Sequence, residues 1–183
     1  MNTNSVCMNC RSKGIEQFLD LGRQPNGNSY PEIVEIAEEP TFPFAMAVCM
    51  NCWQVQIEQF PSVEKMFSNH PYVTGLNFPV VQHFENLAKI TCEKFKIDGN
   101  SLVLDIGAND GTLLKIFQAL GMRVLGIDPG RRTGKLAKAA GLTVCETFWN
   151  ETSALAINQL NLQPDLITAS AVFYHMEDIH SFI

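Results

Sequence analysis

The chain has no run of five or more basic residues, no apolar stretch of membrane-spanning length and no Gly-x-Gly-x-x-Gly fingerprint. Each absence closes off a class of protein. Nucleic-acid binding rests largely on clustered Lys and Arg set against phosphates. Here 13 basic residues against 19 acidic ones leave a formal charge of −6, so no nucleic-acid partner is expected. A spanning helix needs about 20 consecutive apolar residues; without them no membrane association is expected. The opening Met1-Asn2-Thr3-Asn4-Ser5 is polar and no apolar segment follows, so the reading has no secretory leader and places the chain in the cytoplasm. With 46% hydrophobic and 17% charged residues, the composition is that of a globular protein able to bury a core.

Where a dinucleotide fingerprint would stand, the chain reads Leu102-Val103-Leu104-Asp105-Ile106-Gly107-Ala108-Asn109-Asp110-Gly111-Thr112. The apolar run before Gly107 reads as a buried parallel strand, and Leu113, Leu114, Phe117 and Leu120 repeat afterwards at helical spacing. Asn109 and Thr112 occupy the places of the second and third glycines, which disfavours close approach of a pyrophosphate. Gly107 and Gly111 are expected to let the backbone approach a ligand that a Cβ would block. With Asp105 and Asp110 the loop is acidic, a setting suited to the sulfonium and ammonium of S-adenosylmethionine rather than to a diphosphate. About twenty residues on, Val124-Leu125-Gly126-Ile127 forms a second strand ending in Asp128, placed to accept hydrogen bonds from a ribose. For the glycines alone, an ordinary strand-to-helix turn is the competing explanation.

Six cysteines in a reducing compartment read as thiols or metal ligands rather than disulfides. Cys7-Met8-Asn9-Cys10 and Cys49-Met50-Asn51-Cys52 are two Cys-x-x-Cys knuckles. Four thiolates at such spacing make a closed tetrahedral zinc site, which is structural because no position stays open for water. Redox chemistry is the alternative for a single pair; the repeated knuckle favours zinc. Cys92 and Cys145 fall on apolar stretches and read as core.

The chain divides into a zinc-binding domain over 1–70, a linking helical region over 71–98 and a cofactor-binding domain over 99–183. The first part holds strand-like runs at Phe42 to Val48 and Trp53 to Ile57 and a turn-rich loop from Gly22 to Asn28. The last alternates strand and helix at 102–106, 112–120, 123–127, 133–140, 142–145, 151–160 and 165–170, which predicts an α/β fold with a parallel sheet.

Taken in order, these pieces resemble the zinc-containing C-methyltransferases that act on keto-deoxysugar nucleotides. The resemblance runs through Cys7-x-x-Cys10, Asp20-Leu21-Gly22-x-Gln24-Pro25 with Asn28, Cys49-x-x-Cys52 with Gln54-Val55-Gln56, and Tyr72-Val73-Thr74-Gly75. It continues through the Asp105 to Leu114 loop, Gly126-Ile127-Asp128-Pro129 and Ala169-Ser170-Ala171-Val172-Phe173-Tyr174-His175. It implies a small zinc-binding domain ahead of a Rossmann-like class I methyltransferase domain, with methyl transfer to the carbon beside a sugar ketone. In that family a C-terminal domain helps bind the sugar nucleotide, and the sheet has more strands than this sequence supplies. The methyltransferase domain is therefore expected to be incomplete at its C-terminus, with a missing C-terminal half or a partner chain completing the sheet.

Within this frame Gly107, Asn109, Asp110 and Gly111 are assigned to the methionine end of the cofactor, Asp105 to the acidic surround, Asp128 to the ribose and Phe148 to the adenine, with Trp149 as its neighbour. Packing against a helix is the alternative for both aromatics. Tyr72 with Thr74 resembles the segment that closes over the methionine end, a loop anchor being its alternative. His175, at the carboxyl end of the fourth strand, is the candidate base that takes the proton beside the ketone, so that the enolate can attack the methyl group. A strand-end cap is the other explanation for it. A zinc-bearing RNA methyltransferase and a non-catalytic cofactor-binding scaffold fragment remain as alternatives to the nucleotide-sugar enzyme.

Overall fold

The structure, a computed structural model, describes residues 6–27, 30–57, 62–68 and 70–183. Met1 to Ser5 and Asn28, used in the sequence reading, lie outside them. The chain forms two compact units, one of Met1–Met66 with Met176–Ser181 and Ile183, the other of Phe67–His175 with Phe182.

The first unit is a three-stranded antiparallel sheet, β1 (Ile15–Pro25), β2 (Thr41–Cys49) and β3 (Val55–Ile57), in that order. β2 alternates as a half-buried strand should, with Ala45, Ala47 and Cys49 inward. β1 takes in residues Gly22 to Pro25, which the sequence reading gave to a loop. Arg23, Gln24 and Pro25 pair with Pro43, Phe42 and Thr41. Register shifts after Gln17 and Asp20 absorb the extra residues, the second one next to Gly22 at φ 68°. Nearly every β1 residue is exposed, so the strand has no inward stripe to announce it. The buried apolar residues are small, Cys7, Ala45, Ala47 and Cys49, while Phe18, Tyr30, Ile33, Val34 and Trp53 are exposed. Such a core removes little apolar surface from water, and a bound metal is the usual remedy in a domain of this size.

After the short helix α1 (Val63–Phe67) the second unit is a four-stranded parallel sheet. β4 (Leu102–Ile106), β5 (Arg123–Ile127), β6 (Val144–Cys145) and β7 (Leu166–Thr168) lie in the order β6-β5-β4-β7. The crossovers carry α3 (Thr112–Ala119), α4 (Arg131–Ala139) and α5 (Glu151–Gln159). Every residue of β4 is buried, as expected of a central parallel strand covered on both faces. Its alternation sorts the core. Val103 joins Leu113, Phe117 and Met122, while Leu102, Leu104 and Ile106 join Leu125, Ile127 and Ile157.

Helix α2 (Phe78–Phe95) adds Phe84 and Ala88 to the first of these clusters, so it packs as part of this layered unit. Asn77 caps it by accepting from the Val80 N–H at 3.4 Å, and Lys96 ends it in the left-handed region. Cys92 is half-buried against the same cluster. Cys145 is exposed, contrary to its reading as core: β6 is two residues long, and Val144 takes the inward position, which turns its successor outward. A last short helix, α6 (Ile179–Phe182), is capped by Asp178, which accepts from His180 N at 3.2 Å and Ser181 N at 3.1 Å. Among the described residues no helix is long and apolar enough to cross a membrane.

Candidate functional site

The two knuckles of the first unit fold as twins. In each, the N–H four residues after the first cysteine returns to that cysteine's carbonyl, Arg11 to Cys7 at 3.0 Å and Trp53 to Cys49 at 2.8 Å. The same residues close the turns with positive φ, 60° at Arg11 and 65° at Trp53. The four Sγ atoms of Cys7, Cys10, Cys49 and Cys52 lie within 4.8 Å of one another, with Cys7 to Cys52 at 3.5 Å and Cys10 to Cys49 at 3.6 Å. A zinc–sulfur bond of about 2.3 Å in a tetrahedron sets sulfurs about 3.8 Å apart, so the cluster has the dimensions of a zinc site. Its proton affinities have split. The Asn51 amide, then a backbone bond with Ser12, draws Cys10 down to about 6. At Cys52 a backbone bond with Gln54 pulls down, but burial and the sulfurs of Cys10, Cys7 and Cys49 outweigh it and raise the thiol to about 11. Thiols this close cannot all ionise without a cation among them.

In the second unit the turn from β4 into α3 forms the other site. Gly107 and Ala108 donate to the Ile127 carbonyl of β5 at 2.7 and 3.1 Å, and Gly107, Asn109 and Gly111 all have positive φ, at 76°, 51° and 76°. The glycines do not leave the open space expected of them. A Cβ on Gly107 would meet Val172 Cγ2 at 2.2 Å, and one on Gly111 would meet Leu142 Cδ1 at 2.2 Å. Both are required by the backbone and by the neighbours that pack onto it.

Three carboxylates surround this turn, each mostly buried. Asp105, in β4, accepts from Thr168 Oγ1 at 2.7 Å; burial first, then the charge of Asp128, pushes its carboxyl up to about 7 against the pull of Thr168. Asp128, at the end of β5, accepts from Asn109 N at 2.8 Å on Oδ2, and from Gly130 N at 2.7 Å and Thr133 Oγ1 at 3.3 Å on Oδ1. A carboxylate offers about four acceptor positions; three are used, and the free one is on Oδ2. Burial raises the Asp128 carboxyl too. Asp110 accepts from Thr112 Oγ1 at 2.7 Å and from Gly75 N at 3.2 Å. The ion pairs among the described residues, Arg11–Asp178 and Lys138–Glu146, touch none of the three. A buried acidic cluster without a cationic partner fits a ligand carrying a sulfonium and an ammonium.

Asn109 and Asp110 bind protein as well as framing the turn. Asn109 Oδ1 accepts from Thr74 N at 2.9 Å and Thr74 Oγ1 at 3.2 Å, and its Nδ2 donates to the Tyr72 carbonyl at 3.2 Å. With the Asp110 bond to Gly75, the Tyr72 to Gly75 segment is latched onto the turn, Thr74 buried and the Tyr72 ring exposed. His175 lies in the 3-10 turn Phe173–His175 that follows β7, its N–H on the Val172 carbonyl at 2.9 Å. Its half-buried ring is 4.8 Å from Phe67 and 4.3 Å from Tyr174, centroid to centroid. Burial, and then the neighbouring His70, depress its pKa. Phe148 follows β6 and is half-buried. Trp149 packs against the Leu104 cluster and donates from Nε1 to the Phe182 carbonyl at 2.7 Å, which is the packing alternative for that ring.

Sequence reasoning passed over Thr133 and Thr168, the hydroxyl partners of Asp128 and Asp105. For Thr133 a signal was present, since it stands in the first turn of a helix soon after an aspartate, where such capping contacts are common. His70 lies beside the Tyr72 to Gly75 segment as well, and its Nδ1 accepts from Tyr72 N at 3.1 Å.

Comparison with known proteins gives two family matches. Residues 7–67 match the family described as "Putative zinc binding domain", and residues 79–183, more than half of the chain, match the family described as "Methyltransferase domain". The C-methyltransferase NovU of Streptomyces niveus is 27% identical over 179 residues, covering 95% of this chain and 42% of that protein. The chain thus spans less than half the length of this curated relative. A solved structure, the YcgJ protein of Bacillus subtilis, shares 16% identity over 55% of this chain and 42% of its own, with a TM-score of 0.42. A methyltransferase domain implies S-adenosylmethionine as cofactor, and the zinc-binding domain with its four-cysteine cluster implies zinc. The chain belongs to the methyltransferase family, with a zinc-binding domain preceding the parallel α/β unit.

Proposed function

We propose that this chain supplies the zinc-binding and cofactor-binding parts of a cytoplasmic C-methyltransferase that acts on a keto-deoxysugar nucleotide, with a zinc-binding domain over 1–70, a linking helical region over 71–98 and a cofactor-binding domain over 99–183. The observation that carries this reading is the similarity to a C-methyltransferase along 95% of the chain, spanning both the tetrathiolate unit and the acidic turn. The net charge of −6 speaks against a nucleic-acid substrate. The sugar-binding part is assigned to a further C-terminal half or a partner chain.

In this reading S-adenosylmethionine supplies an electrophilic methyl group. The free position on Asp128 Oδ2 takes a ribose hydroxyl, while the Asn109 and Gly130 N–H groups hold that carboxylate in place. Asp105 and Asp110 offset positive charge, and Gly107, Asn109 and Gly111 shape the turn against the methionine end. Tyr72, on the latched segment, covers that end, and Phe148 flanks the base. His175 removes the proton beside the ketone. Its depressed pKa keeps the ring neutral, and so able to accept a proton, at pH 7. The proton stays on the imidazole, and the enolate carbon left behind would take the methyl group as its bond to sulfur breaks, with S-adenosylhomocysteine as the leaving group. The four cysteines do no chemistry; they hold the first unit together.

Titration calorimetry with S-adenosylhomocysteine, followed by incubation with S-adenosylmethionine and a thymidine diphosphate-linked 4-keto-6-deoxyhexose in deuterium oxide, tests the proposal. Binding of the adenosyl compound is expected of the chain itself, and, once the C-terminal half or partner chain that holds the sugar is supplied, so is deuterium uptake at the carbon beside the ketone that is lost in His175→Phe. Failure of the chain to bind the adenosyl compound would overturn the cofactor reading; uptake unchanged in His175→Phe would remove the base.

A further inference from the structure

The two knuckles share the sequence Cys-Met-Asn-Cys, and their asparagines reach across the cluster rather than into their own turns. Asn51 Nδ2 donates to Cys10 Sγ at 3.4 Å, and Asn9 Nδ2 donates to Cys52 Sγ at 3.8 Å. The other two sulfurs are served differently. Cys7 Sγ accepts from the Cys10 N–H at 3.5 Å and Cys49 Sγ from the Asn51 N–H at 3.4 Å, each within its own knuckle.

Burial follows the same division. Cys7 and Cys49 are fully buried, whereas Cys10 is exposed and Cys52 half-buried. The inward sulfurs are shielded by packing and a backbone N–H, and the outward sulfurs by a side-chain amide lent by the opposite knuckle. The symmetry extends to position: each amide belongs to the third residue of one knuckle and serves the last cysteine of the other.

We infer that Asn9 and Asn51 are positioning residues of the metal centre, each guarding the outward thiolate of the other knuckle. A zinc-bound thiolate stays nucleophilic in proportion to the electron density at sulfur, and an N–H donor aimed at it withdraws density and fixes its lone-pair direction. Because each donor sits on the knuckle that does not own the sulfur, the pair also ties the knuckles to one another. Loss of one amide therefore exposes a cysteine in the other loop. An asparagine that merely shaped its own turn would, when lost, loosen its own cysteines instead.

The inference rests on the zinc reading, and the test separates them. Full-length chain loaded with zinc, as wild type, Asn9→Ala and Asn51→Ala, is treated with limiting iodoacetamide, and modification at each cysteine is read by tandem mass spectrometry. In this reaction the sulfur displaces iodide and an S–C bond forms. Asn51→Ala should speed modification at Cys10, and Asn9→Ala at Cys52, with zinc release to a chelator faster by about tenfold or more in each. Where an alanine variant does not retain zinc, the serine variant at the same position, too short to reach the sulfur, serves in its place. Cobalt loading gives a second readout: the sulfur-to-cobalt charge-transfer band should move to longer wavelength when either amide is removed. Modification confined to the mutated knuckle, an equal rise at all four cysteines, or a band and rates unchanged would overturn the inference. A wild-type chain that takes up no metal would instead overturn the zinc reading on which it stands.

Discussion

Asn109→Gly is the most informative perturbation of the second unit. The side chain makes three hydrogen bonds to the Tyr72 to Gly75 segment, two accepted from Thr74 and one donated to Tyr72. At about 0.5–1.5 kcal/mol each, their loss costs about 2–3 kcal/mol, and the buried Thr74 N–H is left without its acceptor. Glycine adopts the φ of 51° readily, so the turn itself is kept in this variant when the side-chain bonds are lost. Asn109→Ala loses the same bonds and keeps a Cβ in the left-handed region, where alanine lacks the local side-chain hydrogen bonding that suits asparagine to it. The loss is local, because the backbone N–H of residue 109 still donates to Asp128 and the turn keeps its bonds to Ile127. Native-state hydrogen exchange at the Thr74 amide should therefore quicken roughly 30- to 150-fold in the glycine variant, while amides of β4 keep their protection. S-adenosylhomocysteine should bind more weakly in the same variant. Thr74 exchange within twofold of wild type would refute the latch, and an equal rise at Leu104 would show that the side chain supports the whole unit instead.

One zinc per chain is expected by elemental analysis, and Cys49→Ser should abolish it and lower the melting temperature of the first unit while leaving the second unchanged. Asp105 gives a pH signature. Its carboxyl is raised in the fold to about 7 from 3.8, so the native state holds this proton more tightly than the unfolded chain, and the stabilisation present below about pH 4 is lost as pH rises through 7. Hydrogen exchange at Leu104 should show stability of the second unit falling from pH 5 to 8 in the wild type and much less in Asp105→Asn; parallel profiles would refute the assignment. Phe117→Ala, at a side chain with no exposed surface in the Val103 cluster, should cost about 3–5 kcal/mol in urea unfolding. A loss under about 1 kcal/mol would mean the cluster collapses around the gap.

How far the sequence could be read depended on whether a signal was local. β4 and β5 have the bounds that their apolar runs mark, because both are covered on two faces and polar residues flank them. The tetrathiolate was legible because knuckle spacing is a property of each turn, and only the meeting of two turns is left to the fold. β1 was missed along its whole length, and its last residues were given to a loop, because a bulged, exposed strand carries no alternation. The Asn109 to Thr74 latch was illegible because its partners, 35 residues apart, meet only once α2 has packed. Cys145 shows the complementary error: an apolar neighbourhood in the sequence says nothing about which way a two-residue edge strand turns its second side chain.

The cysteine loops stand at the two feet of the β1–β2 hairpin, with Ile15 paired to Cys49 beside the metal cluster. Metal uptake thus closes a ring of chain whose interior is the hairpin itself, removing most of the loop-closure entropy that would oppose this pairing. In a cell starved of zinc the hairpin would lose this clasp, and the unzipped strands, rich in uncovered aromatic and branched residues, would be prone to stick to one another.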